Sequence, residues 1–181
     1  VYFHQVGTAQ SADKQIYQDA ANPQRFNIVG TTDDERYVLL SVSDRGKGKD
    51  GNALYARDLS RGEREFNPVV KDIPNDSFGV VDNTGAMLVV ETNRGAPNGR
   101  VVLIDPKRPE ETNWKTVLPE RPEPLQSAST AGGKLFATSR TAVPGFGGRH
   151  RPRRCRSGAR PPSLRGPRRS RPANARRSST T

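Results

Sequence analysis

Acyl transfer by an activated serine needs a serine, a histidine and an acid linked by hydrogen bonds, and this 181-residue chain is poor in the middle member. Its histidines are His4, in a short apolar segment near the beginning, and His150, in an arginine-rich stretch near the end. No G-x-S-x-G segment is present to lift a serine onto a strand-to-helix elbow, so a catalytic triad cannot be assembled from these residues. Cys155 is the lone cysteine, which excludes an internal disulfide and a cysteine-based zinc site. Asp33-Asp34-Glu35 offers three carboxylates, but consecutive acids ahead of a strand read as a turn. The stretch from Asp44 to Gly51 is rich in glycine, yet it lacks the G-x-x-x-x-G-K-[ST] spacing and the following helix of a phosphate loop. No metal and no cofactor are expected.

The elements that would carry any site are strands. Apolar residues come in short alternating or continuous clusters separated by turn residues, and helical spacing is not sustained anywhere. Strands are expected over 1–7, 15–19, 26–30, 36–42, 52–58 and 66–71, then over 78–82, 86–92, 99–105, 113–118, 125–130 and 134–138. No apolar run approaches the roughly 20 residues of a membrane-spanning helix, and no targeting segment can be read, which leaves the compartment open between cytoplasm and periplasm.

Charge divides the chain in two. The formal net charge is +11, but residues 139–181 hold 13 arginines and no Lys, Asp or Glu, so residues 1–138 are slightly acidic. Arg, Pro, Gly, Ser and Ala dominate the last stretch, which cannot bury enough apolar surface to offset its ordering entropy and is expected to be disordered. Two origins compete for it. One is a basic arm that binds phosphate backbones; the other is out-of-frame translation of a GC-rich gene. The abrupt change of composition at Ser139-Arg140, in mid-strand, favours the second.

The strands repeat. Ser43-Asp44-Arg45-Gly46 follows one strand as Thr92-Asn93-Arg94-Gly95 follows another, and Asp58 and Asp105 end corresponding strands, as Met87 and Leu135 occupy corresponding places. Each period holds four short strands, the size of one propeller blade, with a β-sandwich as the competing arrangement. The expected fold is all-β: a partial β-propeller over 1–138, with blades at about 1–20, 25–72, 77–119 and 124–138, followed by the disordered tail over 139–181. The first of these blades contributes its last two strands and the last its first two, so about three blades' worth of sheet is present.

Three stretches, VYFHQVGTAQSADKQIYQD at 1–19, TTDDERYVLLSVSDRGKGKDGNALYARDLS at 31–60 and TNRGAPNGRVVLIDPKRPEETNWKTVLPE at 92–120, closely resemble the seven-bladed propeller of prolyl oligopeptidases. The most specific is the third, with Thr92-Asn93-Arg94, Pro97-Asn98, Ile104-Asp105 and Asn113-Trp114-Lys115. The resemblance spans 1–138 and none of 139–181. It implies a serine endopeptidase acting on short proline-containing peptides, in which the propeller caps an α/β-hydrolase domain carrying the catalytic Ser, Asp and His and admits only small peptides. This chain would then be a piece of that cap, without the catalytic residues and inactive by itself, its partners being peptide substrates and the missing hydrolase domain in cis.

Within the resemblance, Arg94 matches an arginine similar to a substrate-cavity contact, where a cation could hold a peptide carbonyl or carboxylate. An ion pair between blades is the alternative role. Asn93 and Asn98 are expected to shape turns, Trp114 to sit in an outer strand packed on the next blade, and His4 to be a strand residue without a partner. A stand-alone peptide- or protein-binding module is a second functional class. Nucleic-acid binding through the arginine tail is the third and the least favoured, and no membrane partner is expected.

Overall fold

The computed structural model describes residues 1–44 and 48–140. The readings made for 141–181 and for Arg45-Gly46 lie outside the described residues.

Among the described residues, twelve strands run in the expected places: β1 (Tyr2–Phe3), β2 (Lys14–Gln15), β3 (Phe26–Thr31), β4 (Tyr37–Ser43), β5 (Ala53–Asp58), β6 (Asn67–Val70), β7 (Phe78–Thr84), β8 (Met87–Thr92), β9 (Arg100–Ile104), β10 (Lys115–Leu118), β11 (Leu125–Ala131) and β12 (Lys134–Ser139). They form four antiparallel sheets, each in simple sequence order: β1-β2, β3-β4-β5-β6, β7-β8-β9-β10 and β11-β12. The helical content of the described residues is three one-turn 3₁₀ segments, and none is long and apolar enough to cross a membrane. Two whole four-stranded blades flanked by two half-blades make this a partial β-propeller.

The strand sequences explain their places in the blades. β4 (YVLLSVS) and β8 (MLVVET) are continuous apolar runs because both of their faces are covered, and Leu40, Leu88 and Val90 are fully buried. The outermost strands β6 and β10 are more polar and more exposed. Tight turns follow from glycine. The β11–β12 hairpin closes through Gly132 and Gly133, with φ of +56° and +70°, the left-handed pair that a two-residue hairpin requires.

Blade faces bury each other. Tyr37, Leu39, Leu54 and Ala56 from β4 and β5 meet Leu88, Val90, Val102 and Ile104 from β8 and β9 in one apolar layer. The opposite face of β4 and β5, with Leu40, Val42 and Ala53, receives Tyr17 from the segment after β2, which meets Phe66 edge-on at 6.1 Å. Each such layer removes apolar area from water on two sheets at once, at about 25 cal/mol per Å², so one blade cannot bury its own faces.

Polar clasps repeat with the blades. Ahead of β5, the Asn52 side chain accepts from Phe78 N–H (2.8 Å) and donates to Phe78 C=O (3.0 Å), while Gly51 N–H donates to Pro74 C=O (3.2 Å). Ahead of β9, Asn98 donates to Arg121 and Pro122 C=O and accepts at its own C=O from Leu125 N–H (2.7 Å). Each clasp ties the loop before a third strand to the linker entering the next blade.

Candidate functional site

The strongest concentration of chemically useful groups is a groove of about 290 Å³ between the outer parts of the two whole blades, walled by Val69, Val70, Pro109 and Trp114, with Arg94 and Lys71 as its cations and Asp72, Glu110 and Glu111 as its acids. Its arginine is set by β8. Thr92, buried at the strand's end, accepts from Arg94 N–H at 3.1 Å, and Asn93 Oδ1 accepts from Ser77 N–H at 2.8 Å, so the loop cannot swing away from the inter-blade linker. Arg94 Nε donates to Asp76 Oδ2 at 2.9 Å and the guanidinium lies 5.0 Å above the Phe78 ring. The side chain keeps 29% of its surface exposed, which leaves donors for a ligand.

Trp114 makes the opposite wall. It stands one residue before β10, donating Nε1–H to Pro109 C=O at 2.9 Å and meeting Phe78 edge-on at 6.0 Å. The expectation that it packs on the next blade is corrected here. Trp114, directly after the 3₁₀ turn Glu111–Asn113, joins the apolar layer shared with the preceding blade, beside Val69 and Val70. Arg100 sits over the indole at 6.0 Å and pairs with Glu111 at 3.4 Å. Chemically, the groove offers an aromatic wall, a guanidinium already oriented by a carboxylate and a ring, the Lys71 ammonium, and three exposed carboxylates, Asp72, Glu110 and Glu111.

The other residues singled out in the sequence serve the scaffold. Asp34 accepts from Asn83 of the next blade, from Arg36 N–H and from Thr32, and these hydrogen bonds, that of Asn83 foremost, hold its carboxyl below the usual aspartate range. Asp33 N–H donates to Asp82, which also accepts from Thr130 at 2.8 Å, so the ends of the first strands of three consecutive sheets are linked. Among the described residues, no cluster of His, Cys, Asp and Glu is arranged to hold a metal ion. His4 lies just past β1 and has a partner the sequence did not reveal: its Nδ1 is 2.6 Å from Asp13 Oδ1. No serine hydroxyl bonds to the other ring nitrogen among the described residues, so the pair is an acid and a base without a nucleophile.

Asp58 is the most buried charged anchor. Burial pushes its carboxyl upward, but hydrogen bonds from Arg36 (2.9 Å) and Ser60 (2.6 Å) outweigh that and place it below the usual range. In the same loop Glu63 pairs with Lys107 of the next blade. Glu63 was not singled out in the sequence, and Asp58 was marked there only as a strand end that repeats at Asp105. The groove partners Asp76 and Phe78 carried no signal, since they sit 18 and 16 residues before Arg94 in ordinary linker and strand sequence.

Comparison with known proteins agrees with this geometry. Residues 1–144 match the family model described as prolyl oligopeptidase, N-terminal beta-propeller domain. The prolyl endopeptidase of Elizabethkingia meningoseptica is 36% identical over 138 residues, covering 76% of this chain and 19% of the relative, and prolyl oligopeptidase A of Amanita bisporigera is 30% identical over 146 residues, covering 79% and 18%. The chain thus spans about a fifth of the length of the curated relatives it matches. Among solved structures, one from work on two prolyl endopeptidases superposes with a TM-score of 0.65 at 28% identity, covering 76% of this chain and 20% of that one. The ligand-free prolyl oligopeptidase B of Galerina marginata superposes with 0.66 at 25%, with the same coverage. Stacked four-stranded blades, the repeated clasps between them and this match over residues 1–144 lead to one conclusion: the chain belongs to the prolyl oligopeptidase N-terminal β-propeller family.

Proposed function

We propose that this chain supplies blades of a propeller that controls which peptides reach the serine-peptidase site of an α/β-hydrolase domain in a prolyl oligopeptidase, and that Arg94 contacts the peptide. The observation that carries the reading is Arg94 itself. It is fixed by Thr92, Asp76 and Phe78, yet its guanidinium remains partly exposed in a groove with an aromatic wall. Such a cation can hold a peptide carbonyl or terminal carboxylate through charge-assisted hydrogen bonds, while the indole face of Trp114 suits an apolar ring such as proline. Blades that clasp each other through Asn52 and Asn98 form a rigid wall, which suits exclusion of long chains.

A chimaera tests this. Residues 1–138 replace the matching segment of the Elizabethkingia meningoseptica prolyl endopeptidase, and hydrolysis of short and long proline-containing peptides is compared. The expected result is cleavage of the short peptide and discrimination against the long one. Arg94→Ala in the chimaera is expected to raise KM about tenfold, the loss of one charge-assisted hydrogen bond, with little change in kcat. Equal cleavage of long and short peptides refutes the gating role, and an unchanged KM refutes that of Arg94.

A further inference from the structure

The packing of one blade on the next imposes a chemically labile pair, Asn98-Gly99. Gly99 has φ of +87°, and a Cβ there would stand 3.0 Å from the Leu125 Cβ, a conformation and a contact that only glycine takes without strain. Asn98 is the clasp residue ahead of β9. Its Nδ2 donates to Arg121 C=O (3.0 Å) and Pro122 C=O (3.3 Å), its N–H donates to Glu120 Oε1 (2.7 Å) and its C=O accepts from Leu125 N–H (2.7 Å). Asparagine followed by glycine is also the order in which a backbone nitrogen reaches the side-chain amide with least obstruction, because glycine has no Cβ beside that nitrogen. It is the lone Asn-Gly pair in the chain.

We infer that Asn98 is a latent modification site, at which local opening of the clasp is followed by deamidation that keeps the clasp from closing again. The inference does not rest on peptide gating. In the closed clasp Gly99 N–H donates to Ala96 C=O at 2.7 Å, while Asn98 Nδ2 is tied to the linker, so the attacking nitrogen and the amide it would attack are held by different partners. Those bonds must break first, in a local opening of the loop. The freed Gly99 nitrogen then loses its proton to solvent base and bonds to Asn98 Cγ. Nδ2 leaves as ammonia, taking a proton from solvent, and a cyclic imide remains. Water opens the imide at either carbonyl: breaking the bond to Cγ gives aspartate, and breaking the bond to the main-chain carbonyl gives isoaspartate. One water is consumed, one ammonia is released and nothing is oxidised. Either product spoils the clasp. A carboxylate has no donor, so the carbonyls of Arg121 and Pro122 lose their partner, and the new charge stands against those two oxygens with the Glu120 carboxylate close by. Isoaspartate also adds a carbon to the backbone and shifts Gly99 from Leu125. The clasp of the preceding blade lacks the device, since Asn52 is followed by Ala53.

The test incubates the full 181-residue chain in mildly alkaline buffer, with and without urea, and follows the amide-to-acid mass gain in the tryptic peptide 95–100. Conversion is expected to be at least tenfold slower in buffer than in urea. Equal rates would show that the clasp protects nothing, and an unreactive peptide in urea would remove the lability; each overturns the inference. Asn98→Asp supplies the converted form directly. Its Leu125 amide is expected to exchange hydrogen at least tenfold faster than in the unmodified chain, while the amides of the β4–β5 ladder keep their protection. An unchanged Leu125 amide overturns the one-way step. Equal acceleration in both places overturns its confinement to this clasp, because it would mean that the substitution unfolds the chain as a whole.

Discussion

Gly51→Ala is the sharpest probe of the clasp between blades. A Cβ added at Gly51 would stand 2.0 Å from Asp76 O and 2.6 Å from both Asp76 C and Pro74 O, all backbone atoms of the linker entering the next blade. No side-chain rotation can relieve that contact. Either the linker moves or the loop does, and each movement lengthens Gly51 N–H to Pro74 C=O and disturbs the paired Asn52–Phe78 hydrogen bonds. Overpacking costs about 1–3 kcal/mol, and one or two weakened hydrogen bonds add about 0.5–1.5 kcal/mol each, so a loss of about 2–5 kcal/mol is expected. Trp114, the lone tryptophan, lies in the layer between the two whole blades, so its fluorescence reports the relevant unfolding in a urea titration. Gly79→Ala is the control, because a methyl group there meets nothing within 4 Å, and it should change stability by less than about 0.5 kcal/mol. If the two variants unfold within about 0.5 kcal/mol of each other, the clasp does not hold the blades together and the reasoning fails.

Two further outcomes follow from the same interfaces. Asp58 has a folded-state pKa below its unfolded value, so the stability it contributes is present above the unfolded value near pH 4 and is lost as pH falls through the folded one. Asp58→Asn should flatten the acid limb of a stability–pH curve. It should also cost about 1–3 kcal/mol at pH 7, less than a fully buried pair because Arg36 is 22% exposed and can be hydrated; an unchanged acid limb would show that another group carries it. Trp114→Phe should keep the edge contact with Phe78 while losing the bond to Pro109, at about 1 kcal/mol. Trp114→Ala should cost about 2–4 kcal/mol by emptying the wall of the groove, read by circular dichroism during thermal unfolding. Equal losses for the two would contradict the packing role of the indole.

The strands were legible because each is a short apolar run bounded by turn residues, and the twelve expected segments coincide with β1–β12 to within a few residues. β1 and β2 are the exception in length. VYFHQVG and QIYQD shrink to two paired residues each. The site was only partly legible. Arg94 stood out through the resemblance to a family, and its contact with Asp76 and Phe78 arose from the linker between blades, whose path no local pattern encodes. Asn98 was expected to shape a turn and does close one, but its side chain reaches the next linker, 23 residues away, and Trp114 turned toward the opposite blade from the one expected.

Periodicity, alternation and turn residues along the chain were sufficient to determine an all-β repeat of four-stranded units, because strand formation and hairpin closure depend on neighbours within a dozen residues. Which face meets which was decided in three dimensions: Tyr37 against Leu88, Asn52 onto Phe78, Arg94 onto Asp76. Those partners are brought together by the stacking of one twisted sheet on the next. Their energies come from burial and from hydrogen bonds between units, and a residue's own neighbours in the chain cannot specify either.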